Sequence, residues 1–364
     1  DALANAGAAV VVLDIFLHTP SDDDADLARA IGDAGNVILT AALQRDGAAG
    51  LDVQRLREPV PALGARSIGT APWMIPEAFR VDWVFMRDGA GRPTVPLVAL
   101  QAYAFDEFMA LLTVLRPEIA AKYSPQRSDL GAVRLERMVE DLRREFSTDR
   151  ALRETMLVRT KSGGTALRAL VAMYAEAATS EANRLYMNFY GPPRTIRTIP
   201  YQDALASGFA AGELAGKAVF VGYSATRQPG QQDDYPTVYS TNGFNLSGVE
   251  LCATAFANLL HGSSLRAPPF AIRVLLVLLW GLLLAAAFSR FSVAAGAGIG
   301  IAAAAGYLLV ASFVFRSTSV WLPIVVPGMQ VVATGVLSLR VKQLVERAKL
   351  SAGTTEEAAL ALTG

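Results

Sequence analysis

Three apolar runs follow one another near the end of the chain. Phe270 to Phe288 is interrupted only by Arg273, Phe291 to Phe315 carries no charge, and Val320 to Leu339 carries none, although it holds Pro323 and Pro327. Each has the length of about 20 helical residues that crosses a hydrocarbon core. Three such stretches in succession, with Arg273 their one charge, read as transmembrane helices rather than as buried helices of a soluble protein. The composition agrees. The chain is 52% hydrophobic and 18% charged, with a mean hydropathy of +0.33, too apolar for an average soluble protein. The excess lies mostly after Pro269.

Lys and Arg give the orientation. Arg340, Lys342, Arg347 and Lys349 follow the third run, while the short loops hold Arg290 and Arg316. The basic tail is expected on the cytoplasmic side. With three crossings, residues 1–269 then lie outside, in a periplasm or its equivalent. Within the second run, Gly296 and Gly300 form a GxxxG continued by Ala304. This spacing lets helix backbones approach closely, and it also arises by chance in an alanine-rich span. Pro327 removes a backbone donor and is expected to kink the third span. No Asp, Glu or Lys lies within any of the three runs, which argues against ion-coupled transport.

Ahead of the spans, strands and helices alternate. "AAVVVLDIF" (Ala8 to Phe16) is an apolar run suited to a strand buried on both faces. "SDDDADLARAIGDAG" starts a helix with Ser21 or Asp22 as cap, acids in its first turn and Gly35 at its end. "NVILTAAL" reads as the next strand, and "WVFM" before "RDGAGRP" as an arm of a hairpin. Pro96 to about Leu115 and Leu130 to Ala178 read as helical, with "RLERMVEDLRREF" the clearest amphipathic stretch. "LYMNFY" and "KAVFVGYS" are two more strands, and "SGVELCATAFANLLHG" is a helix opened by Ser and closed by Gly. This order predicts an α/β layer with a mostly parallel sheet. The first residue is Asp1, and "DALANAGAAV" reads as a helix end entering a strand, so the chain is expected to begin inside a domain.

The residues that carry chemistry are sparse. Formal net charge is zero, which leaves no global electrostatic case for nucleic acid. Cys252 is the single cysteine, so no intrachain disulfide forms. His18 and His261 are far apart, and neither HExxH nor a paired-Cys spacing is present. Neither metal nor cofactor is expected. "YGPPRT" (Tyr190 to Thr195) has one Gly, no Lys-Ser/Thr pair, and two prolines without N–H groups, so it is not a P-loop. It is either a stiffened connection or a pocket wall, in which Arg194 and Arg197 would meet an anion. Asp14 ends the first strand, where open α/β sheets bind ligands. Asp22, Asp23, Asp24 and Asp26 suit either a helix start or a divalent cation, though their spacing fits no EF-hand. Asp233 and Asp234 lie in a polar loop after the Val219–Tyr223 strand, and Glu250 is a first-turn acid. No GxSxG elbow occurs. After the third span, Val341, Leu344 and Ala348 keep heptad spacing for little more than one repeat. That suits a signalling helix paired with a second subunit, or a basic face against anionic headgroups.

"VVVLDIFLHTPSDDDADLARAIGDAGNVIL", "MNFYGPPRTIRTIPYQDAL", "LAGKAVFVGYSA", "SGVELCATAFANLL" and the three spans, taken in order, resemble a CHASE2 sensor protein over roughly residues 1–340. The resemblance implies an extracytoplasmic α/β sensor domain of a bacterial receptor over residues 1–269, with a helical insert at about 105–183. Three transmembrane helices (270–288, 291–315, 320–339) and a cytoplasmic signalling helix (340–364) would follow. It implies a multi-pass inner-membrane protein whose output domain, an adenylate or guanylate cyclase or a kinase, lies beyond this chain. It also implies a lipid bilayer around the spans, a homodimer through the spans and exit helix, and a small extracytoplasmic ligand. That ligand would meet Asp14, Asn188, Tyr190, Arg194, Arg197, Tyr223, Asp234 and Glu250, with Gly296 and Gly300 packing the membrane helices. The family string Gly-Val-Glu-Ile-His-Ala-Asn reads here Gly248-Val249-Glu250-Leu251-Cys252-Ala253-Thr254, so a ligand role for its His does not carry over. Two other readings stay open: an assembly subunit docked on a membrane complex, and an extracytoplasmic enzyme with Asp14, Asp234 and Glu250 as its acids.

Overall fold

Successive residues of the first long strand leave the sheet on opposite faces. Val10 and Val12 enter one apolar cluster with Ile38, and Val11 enters another with Val37 and Leu39. A valine run buried on both faces suits a parallel strand covered by helices on each side. These contacts come from a computed structural model that describes residues 2–48, 51–123, 134–179, 183–206, 208–210, 212–224, 233–240, 243–291 and 293–361. It divides into two compact units, Asp1–Ser264 and Leu265–Gly364.

In the first unit the elements are α1 (Ala2–Asn5), β1 (Val10–Asp14), α2 (Asp24–Ala34), β2 (Val37–Ala48), β3 (Leu51–Arg57), α3 (Pro61–Gly64), β4 (Gly69–Pro72) and β5 (Trp83–Phe85). The helices α4 (Val95–Tyr103), α5 (Phe105–Leu115), α6 (Pro117–Ala120), α7 (Leu135–Thr148), α8 (Arg150–Arg159) and α9 (Thr165–Thr179) follow. Then come β6 (Arg184–Tyr186), α10 (Tyr201–Ala206), β7 (Ala218–Gly222), β8 (Asp234–Tyr235), β9 (Leu246–Ser247) and α11 (Gly248–His261).

Strands β4, β2, β1 and β7 lie side by side in that order, all parallel. The sheet therefore grows outward from β1 in two directions. Helices α2 and α3, with Leu214, cover one face. On the other face α4 packs against β1, β2 and β4, and α11 packs against α4, α9 and β7. The amphipathic stretch is α7, which buries Leu135, Met138, Val139, Leu142 and Phe146 at helical spacing.

The structure departs from the sequence expectation in three places here. β2 continues past Leu43 to Ala48 and pairs antiparallel with β3, a polar hairpin with no periodic apolar signal. The helical insert opens at α4, ahead of residue 105, and α4 and α5 meet at a bend of 71°. That pair is apolar because it fills the core, with Val95 to Ala102 buried throughout. Strand β5 pairs with β6, on the far side of the insert, and not with the residues after its own turn. There Asp88 accepts from the backbone N–H groups of Ala90 and Arg92, and Arg87 and Pro93 form a single bridge. The β5–β6 clasp, completed by the Asn183 carboxamide on the Arg87 backbone, closes the neck of the insert. At the start of α2 the Ser21 hydroxyl accepts from the Asp23 N–H at 3.4 Å and Asp24 accepts from the Ser21 N–H at 3.0 Å, so Ser21 serves as the cap, one turn ahead of the first α-helical residue. Gly35 closes α2 in the left-handed conformation (φ 62°).

The second unit holds α12 (Phe270–Arg290), α13 (Val293–Thr318) and α14 (Val325–Ala361), each packed on the other two. Two helices, Phe270–Arg290 and Ala294–Thr318, are long and apolar enough to cross a membrane. Large side chains along them, such as Leu278, Leu282, Leu309 and Phe313, point outward, as a lipid-facing surface would.

The third run differs from expectation. Its helix begins at Val325, so only residues 325–339 are helical ahead of Arg340, about 22 Å at 1.5 Å per residue. Pro327 accordingly sits in the first turn of α14 and does not kink it, because a first-turn N–H has no helical acceptor. Pro327 still leaves the Pro323 carbonyl without its i+4 donor. The Tyr307 hydroxyl takes that place, donating to it at 2.6 Å. Trp280 Nε1 donates to the Pro327 carbonyl at 3.1 Å and Gln330 Nε2 to that of Val277 at 3.2 Å. Before the helix, Arg266 and Val320 form a parallel bridge. Positions on α12 and α14 thus advance together, and the two helices run in the same direction.

Candidate functional site

The connections on either side of β1 and β7 leave the sheet in opposite directions. Such a switch point opens a crevice beyond the strand ends. Asp14 and Gly222 are paired there as the last residues of β1 and β7. A Cβ on Gly222 would lie 2.7 Å from Val249 Cβ and 3.2 Å from Asp14 Cβ, so the first turn of α11 presses directly on the strand ends.

Two carboxylates hold that first turn. Asp233 Oδ2 accepts from the Gly248 N–H at 3.2 Å. Glu250, 7% exposed, accepts from the Ser247 N–H at 3.2 Å and the Ser247 hydroxyl at 3.0 Å. Its other oxygen accepts from the Arg194 N–H at 2.6 Å. Arg194 is a non-glycine residue at φ 65°, in the sparsely populated left-handed region, and the bond to Glu250 fixes it there. "YGPPRT" is therefore docked by its backbone onto a buried acid. The cleft among Tyr190, Pro192, Thr195 and Glu250 has a volume of only about 10 Å³, room for a water at most.

Asp14 is half-buried and its carboxyl is pushed up to about 7, first by burial and then by the negative charge of Asp233. The Thr40 hydroxyl beside it, buried and short of a formed hydrogen bond, offsets this in part. Asp233 is also raised by burial, against the Gly248 N–H and Tyr235 hydroxyl that favour its anion. Tyr235 is pushed up to about 12 by burial and by Asp233, and burial beside Asp14 raises the Cys252 thiol. The arrangement holds a proton near neutrality and offers a neutral carboxyl to a hydrogen-bonding ligand. Among the described residues no group of three or more His, Cys, Asp or Glu is arranged to hold a metal ion.

The residues singled out in the sequence fall into separate places. Asp14, Glu250 and the backbone of Arg194 meet at the start of α11, with Tyr223 next to Gly222 and 52% exposed. Asn188 lies toward the other end of α11, and Tyr190 spans the two places, lining the Glu250 cleft while its hydroxyl reaches Asn258 and Ser263. There Asn258 donates to the Asn188 carbonyl and accepts from its N–H, and Tyr190 faces Ser263 at 3.3 Å. Arg197 pairs with Glu213 at 2.7 Å on the surface. Asp234 is exposed and bonded to Asn245 at 3.0 Å. Its neighbour Asp233 is the acid that joins Asp14. Asp233 precedes β8 and accepts from the Gly248 N–H, whereas Asp234, paired with Ser247, turns to Asn245. Glu250, Thr254 and Asn258 form a buried polar stripe at four-residue spacing on this helix, a signal present in the sequence, whereas the partner of Asn258 was not. In the second unit, Cβ atoms on Gly296 and Gly300 would meet the Phe288 ring at 2.9 and 3.0 Å.

A model of the CHASE2 domain matches residues 1–287. The chain belongs to the CHASE2 family. CHASE2 is an extracellular sensor domain of signalling receptors. In this chain the CHASE2 match takes in the whole first unit and runs into α12. Among curated proteins and solved structures, nothing matches the chain.

Proposed function

We propose that this CHASE2 domain receives an extracytoplasmic signal at the strand-end crevice, and that three membrane helices relay it to a cytoplasmic output module, a nucleotide cyclase or a kinase. The observation that carries this reading is the position of α11. Its first turn presses on Gly222, the strand-end partner of Asp14, and is held by Asp233, and its last residue, His261, precedes the first membrane helix by a short linker. A change at the crevice that favours one seating of α11 over another biases the arrangement of the spans.

The third crossing is part of the proposal. The extended stretch at 319–324 starts beside Arg266, and α14 then follows α12 as far as Phe291, reached by Lys342. Together they match the rise of α12. The side-chain donors of Tyr307 and Trp280 satisfy carbonyls that hydrocarbon would leave bare. Arg340, Lys342, Arg347 and Lys349 support the reading of a bacterial inner-membrane protein with its tail in the cytoplasm and the first unit outside. A homodimer through the spans and exit helix, and a small ligand at the crevice, complete the reading. The test is a reporter cyclase joined after α14 in a full-length membrane protein. Output is expected to change when Asp14→Asn or Asp233→Asn alters the crevice. Output identical to wild type in both variants, over a range of external pH and osmolarity, overturns the relay.

A further inference from the structure

A groove of about 600 Å³ runs between the helices of the second unit, within the range of pockets that enclose a small ligand. Its wall is formed by Ile301, Val331, Val332 and Val336. Phe288 forms its floor, only 8% exposed and seated over Gly296, Gly300 and Gly335. The three small residues let the ring sink between the helices and leave the space above it open. At one end the apolar lining gives way to Arg340 and Lys342. Lys342 donates to the Phe291 carbonyl at the end of α12, which fixes its ammonium at the mouth with donors to spare.

We propose that this groove binds one anionic phospholipid, its acyl chain along the apolar wall and its phosphate at Arg340 and Lys342. The charge pattern selects this occupant over a second copy of the chain. Two copies packed groove to groove would bring two pairs of cations together, whereas a phosphate neutralises them. Basic pockets between membrane helices at an interface recognise anionic headgroups in this way.

The test uses the full chain reconstituted in equal phosphatidylglycerol and phosphatidylcholine, then transferred to detergent for native mass spectrometry. One phosphatidylglycerol per chain is expected to stay bound in preference to phosphatidylcholine. Arg340→Gln with Lys342→Gln is expected to reduce that retention roughly tenfold. Val332→Phe with Val336→Phe fills the groove without touching the charge, and is expected to expel the lipid as well. Retention unchanged in the filled variant, with loss in the charge variant, means surface charge alone and overturns the groove. Equal retention of both lipids overturns the headgroup assignment. Efficient disulfide formation between copies carrying Val336→Cys in phosphatidylglycerol membranes assigns the groove to a second chain and overturns the proposal.

Discussion

A carboxyl that takes up a proton near neutrality changes both the stability of its domain and the fit of what packs on it. Asp14 has a folded value of about 7 against an ordinary 3.8. The folded state therefore binds the proton more tightly than the unfolded chain. The stability associated with that proton is complete below about 4 and is lost as the pH rises through 7. Asp233 shifts in the same direction through its own burial, and its negative charge adds to the rise at Asp14. Asp14→Asn, a neutral isostere, is expected to be more stable than wild type at pH 8, with the gap closing toward pH 4. Thermal unfolding of both proteins across that range checks it. The neighbouring Gly222 is fixed by space rather than by backbone angle, since a Cβ there would lie 2.7 Å from Val249. Gly222→Ala is expected to cost about 1–3 kcal/mol by overpacking, read as a lower denaturation midpoint at unchanged slope.

Among the elements, α11 and α14 carry the most consequence. Helix α11 is held at its start by Glu250 and Asp233 and near its end by Asn258, a rod tied at both ends by polar anchors. Helix α14 starts without an ordinary cap, and the Pro323 carbonyl relies on Tyr307. Tyr307→Phe removes that donor in an apolar setting and is expected to destabilise the three-helix unit by about 1 kcal/mol. The comparison is thermal unfolding in detergent against Tyr307→Ala, which also loses the ring packed on Trp280 at 5.1 Å. Little difference between Tyr307→Phe and wild type would show that another group satisfies the carbonyl.

For the whole molecule the deciding quantity is the side of the membrane on which each unit lies. Cys252 offers a clean background for measuring it. It is fully buried and its thiol is raised by burial and by Asp14, so it is expected to stay unreactive to maleimide until the protein unfolds. New cysteines can then be read in the wild-type chain. Ala65→Cys, on the exposed surface of the first unit, is expected to react with an impermeant maleimide in intact cells. Gln343→Cys, exposed on α14, is expected to react only after permeabilisation. Labelling of both from the same side would mean an even number of crossings between them, and the relay as proposed would fail.

Local chemistry wrote much of this protein into its sequence. Three apolar runs, a valine strand, the α7 stripe and the Gly35 and Gly262 stops are each set by neighbours within one or two turns. Their order carried the family. What depends on contacts between distant residues was not legible. Asp233 rather than Asp234 faces Asp14, because the Gly248 N–H from the start of α11 claims its carboxylate while Asp234 bonds to Asn245. Arg194 serves through its backbone rather than its charge, because Glu250 from 56 residues away claims its N–H. The β5–β6 clasp and the late start of α14 likewise follow from partners far along the chain. Periodicity registers burial and capping, which are local. It does not register which acid meets which donor, since that energy is gained only when the sheet has closed.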